Sequence, residues 1–144
     1  MINSKIKTIS YQLLGTLFTL SIFLYLYRPF HIDSLLSEYK GDRLFHYAIV
    51  KGIIENHFQY VTPSLGAPLT SNLFDFPNAE YFNVLLINIC AIFSKNFLVV
   101  SNLYSILCYL LSTFTALFVF SRYVKNPFLS LSGALLYTFS VYRI

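Results

Sequence analysis

The groups able to move protons or to hold an ion are gathered in one part of this chain. All six acidic residues (Asp33, Glu38, Asp42, Glu55, Asp75 and Glu80) lie within or just outside residues 41–77, GDRLFHYAIVKGIIENHFQYVTPSLGAPLTSNLFDFP. So do the three histidines, His31, His46 and His57, and four of the five prolines. Asp42 stands out because it follows Gly41 directly and precedes a segment of helical spacing. A carboxylate there has compatible uses. It can cap the helix by accepting the N–H groups of the first turn, and it can accept a proton or help hold a divalent cation. His46 comes one helical turn later, so the two side chains can meet on one face. The pair suits a base and its orienting partner or, with Asp75, a set of metal ligands. The plainer account of His46 is a histidine on a helix surface.

The remaining candidates are weighed in the same way. Asp75, in Phe74-Asp75-Phe76-Pro77, has the setting of a turn aspartate that satisfies local backbone N–H groups. Lys51 and Glu55 are spaced i,i+4, as in an exposed helical ion pair. Arg43 and Lys51 are also the cations placed to attract a phosphate, either a substrate's or a lipid headgroup's. His31 and His57 read as interface residues. No phosphate-cradling glycine loop, zinc-protease helix or nucleophile elbow is present, so the templates of soluble enzymes do not apply.

Around this charged island the composition is that of a membrane protein. Of the 144 residues 56% are hydrophobic and only 11% charged, against about 25% in a soluble domain. The net charge of +4 comes from lysines and arginines that stand singly beside apolar segments. They form no run or stripe for nucleic acid to follow. Cys90 and Cys108 sit in separate apolar stretches and form no CxxC pair, which points to buried thiols.

The elements that must position the island follow from the apolar pattern. Residues 9–27 are 19 consecutive uncharged residues, about 28 Å of helix against a hydrocarbon core of about 30 Å. A basic start, no small-x-small cleavage site and a Pro29 stop make this an uncleaved span. Residues 31–96 then form a long segment outside the bilayer core. In it, residues 43–57 place Phe45, Ala48, Ile49, Gly52 and Ile53 at near-helical spacing, an amphipathic helix for the membrane interface. Residues 61–77, with three prolines, read as irregular loop. Residues 81–93 are apolar but too few to cross, so a second interfacial or re-entrant helix is expected. Residues 97–120 form a clear span, and a third begins near Phe128 and is still apolar at Tyr142. The expected fold is therefore all-α: about three transmembrane helices and two interfacial helices in a long first outward loop. Residues 1–144 are expected to be the N-terminal membrane module of a longer protein.

Basic residues set the expected orientation. Lys5 and Lys7 lie before the first span, and Arg122 and Lys125 lie in the short turn after the second. Short basic segments stay in the cytoplasm, and long loops count little. The N-terminus and that turn are expected inside, and loop 31–96 outside.

At this point a resemblance enters. A first span, a long outward loop with Gly-Asp ahead of an interfacial helix, a second such helix and then further spans resemble the GT-C membrane glycosyltransferases. More closely, Gly41-Asp42, Lys51-Gly52-Ile53-Ile54-Glu55-Asn56, Leu65-Gly66-Ala67-Pro68 and Phe74-Asp75-Phe76-Pro77 resemble the first loop of YfhO-like bacterial membrane proteins. The likeness covers most of residues 39–120. It implies transfer of a sugar from a polyprenyl-phosphate-linked donor to a cell-envelope acceptor, on the outer side of the bacterial cytoplasmic membrane. Asp42 would be catalytic base or metal ligand, His46 and Asp75 secondary catalytic candidates, and Arg43 and Lys51 phosphate contacts. A divalent cation is the implied cofactor. The bilayer, the lipid-linked donor and the rest of the protein's own chain are the implied partners. Two other readings remain open: a non-catalytic protein assisting export or modification of envelope polymers, and a small scaffold whose acidic loop merely solvates its outer face.

Overall fold

In the computed structural model the described residues are 2–27, 42–56, 61–62, 71–72 and 80–140. They form five helices in the order α1 (Ile2–Tyr27), α2 (Asp42–Asn56), α3 (Tyr81–Phe93), α4 (Phe97–Tyr123) and α5 (Pro127–Thr138). Between α2 and α3, β1 (Val61–Thr62) and β2 (Ser71–Asn72) pair antiparallel, with Val61 opposite Asn72. The fold is helical as expected, apart from this short strand pair within residues 61–77, which were expected as irregular loop. The chain divides into two compact units, one of Met1–Arg28 and Ile106–Ile144, the other of Pro29–Ser105.

The first unit is built from α1, most of α4, and α5. Ala116, Leu117 and Ala134 form a buried cluster flanked by Tyr11, Phe120 and Leu131. Small residues let the backbones approach. A Cβ on Gly15 would sit 2.4 Å from Leu117 Cδ1 and 3.4 Å from Leu131 Cδ1. One on Gly133 would meet the Phe120 ring at 3.4 Å. The hydroxyls of Thr113 and Thr138, both fully buried, lie 3.0 Å apart and join α4 to α5. Each also lies near the carbonyl one turn back, at Tyr109 and Ala134. A hydroxyl has one proton, so one threonine donates across the helices while the other donates to its own backbone. The Tyr11 hydroxyl donates to the Pro127 carbonyl, tying α1 to the start of α5. Tyr109 packs between Phe23 and Phe139, with ring centroids 5.0 and 5.4 Å away. Close backbone approach through small residues, with hydroxyls bonded between helices, is how helices associate in lipid.

α4 is the described helix long and apolar enough to cross a membrane. Its 27 residues extend about 40 Å, and only 17% of its most apolar window is buried. α1 is 26 residues long, but its apolar part, Ser10–Leu26, extends only about 26 Å. α5 departs from the expected third span. It starts one residue early, at Pro127, where proline suits a helix's first position. Asn126 caps it, with Oδ1 accepting from the Phe128 N–H at 3.0 Å. It ends at Thr138, because Phe139 leaves helical geometry while its N–H still reaches the Leu135 carbonyl. Twelve residues give about 18 Å, short of a bilayer core. Among the described residues one helix, α4, is both long and apolar enough to cross a membrane, where three spans were expected.

Candidate functional site

The candidate site belongs to the second unit, where α2 packs against α3. α2 begins at Asp42, one residue earlier than the spacing suggested, so Asp42 is the first helical residue. Its buried surface is also wider than an interfacial helix would have. Tyr47, Ile49, Val50, Ile53 and Ile54 are all buried, and Val50 is completely inaccessible. Phe45 and Ala48, expected on the apolar face, are only half-buried. The exposed strip consists of Leu44, Lys51 and Glu55. α2 is therefore a packed helix with a narrow polar strip, because neighbouring elements enclose most of its circumference.

His46, half-buried on the first turns of α2, is the predicted catalytic residue whose surroundings are described. Its ring lies 5.7 Å from that of Tyr104 on α4, at 33°, and 6.1 Å from that of Tyr47. The Tyr104 hydroxyl donates to Asn83 Oδ1 at 3.0 Å, and Asn83 Nδ2 donates to Glu80 Oε2 at 3.5 Å. The His46 ring on α2 thus packs against a phenol on α4 that is itself hydrogen-bonded through the Asn83 amide to the Glu80 carboxylate at the start of α3. Next to it, Tyr47 meets Phe97 edge-on at 6.0 Å. Burial pushes the His46 pKa below its ordinary 6.5, since low-dielectric surroundings disfavour the imidazolium. A neutral imidazole keeps one nitrogen free to accept a proton.

The other predicted residues fall into two groups. Asp42 and Arg43 lie on the first turn of α2, but their side chains are outside the described set, and Asp75 is outside it altogether. The backbone alone puts Asp42 and His46 one turn apart, about 40° around the helix. Lys51 is not brought to them. It lies about 140° around from His46, on the exposed strip, with Nζ 3.9 Å from Glu55 Oε1. That is a surface pair of the i,i+4 kind. Among the described residues no three His, Cys, Asp or Glu side chains gather as metal ligands. Neither Cys90 nor Cys108 is in a disulfide.

Tyr104, Asn83 and Glu80 were not legible as partners of His46. Asn83 is visible in sequence as a polar interruption of an apolar helix, and Tyr104 as one tyrosine among many in a span. The usable signal was that a polar group inside an apolar helix needs a partner. Spacing cannot supply that partner when it lies 21 residues away on another helix. Compared with known families, curated proteins and solved structures, the chain matches no family model, no curated protein and no solved structure.

Proposed function

We propose that this chain is a membrane module of a GT-C-like glycosyltransferase that acts on a polyprenyl-phosphate-linked sugar. α1, α4 and α5 are its membrane helices, and α2 and α3 stand at the outer headgroup level of a bacterial cytoplasmic membrane. The observation that supports this reading best is a half-buried His46, its pKa lowered by burial, one helical turn after Asp42 on α2, in a chain that also carries the spanning-length helix α4. A lipid-linked donor carries its phosphate at the headgroups, where a carboxylate can take the proton of an attacking acceptor hydroxyl. Asp42 is the base in this reading, His46 is its partner, and Asp75 is a further catalytic candidate. Arg43, on the same turn as Asp42, is the residue of α2 best suited to the carrier phosphate. The proton moves from acceptor hydroxyl to Asp42, the acceptor oxygen bonds to the anomeric carbon, and the carrier phosphate leaves with the electron pair of the broken bond.

The test is Asp42→Asn in the full chain. Transfer of sugar from a polyprenyl-phosphate donor should be abolished while membrane insertion is unchanged. Transfer at the wild-type rate would remove Asp42 from the role and favour a non-catalytic part in handling envelope polymers.

A further inference from the structure

The first unit has cations and no carboxylate to pair with them. Its residues, 1–28 and 106–144, include Lys5, Lys7, Arg28, Arg122, Lys125 and Arg143, and no aspartate or glutamate. Four of these cations belong to one end of the unit. The Tyr11 hydroxyl donates to the Pro127 carbonyl, which brings the start of α1 to the connection between α4 and α5. Lys7 comes one helical turn before Tyr11 on the same side of α1, and Lys5 precedes it. Arg122, in the last turn of α4, and Lys125, in the connection, are both exposed.

Arg122 is the one charged residue of α4. Its guanidinium does not extend past the helix end but lies back over the Phe118 ring, 4.3 Å from the centroid. Phe114, Phe118 and Arg122 are spaced by four, so they share one side of α4. Both rings are exposed, at 42% and 45%. The cation is therefore held at the end of an open apolar stripe. A guanidinium has five N–H donors and no acceptor, and the ring engages only its face. The donor edges remain for an anion, and their planar fork matches phosphate oxygens. Lys125 adds a second positive charge three residues on. Exposed Tyr123 lies between them, an aromatic of the kind found at headgroup level. Asn126, next in the connection, is already engaged as the cap of α5.

Cation and apolar stripe follow each other along one side of α4 in the order in which a phospholipid presents its phosphate and its acyl chains. We infer that Arg122 and Lys125 bind the phosphodiester headgroup of an anionic phospholipid whose acyl chains run along Phe118 and Phe114. The inference rests on the membrane placement proposed above, is independent of sugar transfer, and holds for either orientation of the chain. Basic residues at a membrane surface favour anionic lipid by about fivefold per cation.

The chain has no tryptophan, so Tyr123→Trp reports from this end alone. The full chain carrying it is reconstituted in phosphatidylcholine vesicles with a minor fraction of phosphatidylglycerol. Shallow bromines are placed on the phosphatidylglycerol or, in matched vesicles, on an equal fraction of the phosphatidylcholine. Brominated phosphatidylglycerol should quench position 123 as strongly as about five times its amount of brominated phosphatidylcholine. Adding Arg122→Gln and Lys125→Gln should remove that preference. Leu17→Trp, exposed in the apolar part of α1, separates the site from the membrane placement when all the lipid is deeply brominated. Quenching at position 17 with no preference at position 123 overturns this inference alone. No quenching at position 17 overturns the membrane placement as well. A preference that survives both glutamine substitutions assigns the lipid to other cations and overturns the site. A preference erased by inorganic phosphate at constant ionic strength makes soluble phosphate the occupant and overturns the lipid.

Discussion

His46 ties the charged island to the fold, and its environment makes measurable demands. Burial holds its pKa below the ordinary 6.5, so between those two values the unfolded chain binds more protons than the folded one. Stability therefore falls as pH drops through 6.5 toward the folded-state pKa. Chemical denaturation at stepped pH should show this decline, and His46→Gln should flatten it. Tyr104 is the second lever. Tyr104→Phe keeps the ring over His46 but removes the hydrogen bond to Asn83, at a cost of about 0.5–1.5 kcal/mol. Tyr104→Leu also opens the imidazole to solvent. An NMR titration of His46 should therefore move upward toward 6.5 in the leucine variant and stay near the native value in the phenylalanine variant. Of this cluster, the sequence shows His46 through its place after Asp42 and Asn83 as a polar break in an apolar helix, and leaves their connection through Tyr104 hidden. An i,i+4 pair is a property of one helix, whereas a ring stacked from another helix depends on how both pack.

At the scale of elements, the apolar pattern located every described helix and misjudged mainly the ends. α3 occupies the 81–93 expected, and α4 begins at the expected Phe97. α1 and α4 run past their apolar stretches because lysine and arginine end a hydrophobic run without ending a helix. On the last turn of α4 the Arg122 guanidinium lies 4.3 Å over the Phe118 ring, one turn back, which favours continued helix. The contacts between helices make their own predictions. Gly15→Leu places atoms where Leu117 and Leu131 already lie. With Leu117 fully buried, it should destabilise the first unit by about 1–3 kcal/mol, read as a lowered unfolding midpoint in detergent. Thr113→Val removes one side of the α4–α5 hydroxyl contact and should cost about 0.6 kcal/mol. Adding Thr138→Val should cost less than the sum of the single changes, because the two hydroxyls share one interaction.

For the whole molecule the question is which way the chain faces. Arg122 and Lys125 flank the α4–α5 turn, while Glu80 and Lys95 flank α3 at the other end of α4. In the topology proposed above, the positive-inside rule assigns the first pair to the cytoplasmic side. In a variant with Cys90 and Cys108 replaced by alanine, Lys125→Cys in sealed right-side-out vesicles should resist a membrane-impermeant maleimide until the vesicles are opened. Glu80→Cys should react at once. The opposite pattern would invert the proposed topology and put His46 on the cytoplasmic side.

By itself the sequence determined the helical class of the fold and the places of the described helices. Charge content, apolar run length and spacing are local quantities, and they decide where a chain can be helical and where it must avoid water. It also marked Asp42 and His46, because one helical turn is a local geometry too. Only the tertiary structure decided that α2 is buried around most of its circumference, that Lys51 points away from His46, and that His46 rests on Tyr104, which Asn83 and Glu80 anchor. Those facts depend on which faces meet between segments far apart in the chain. Packing selects the meeting faces by shape and hydrogen-bond satisfaction, and neither is visible along a single segment.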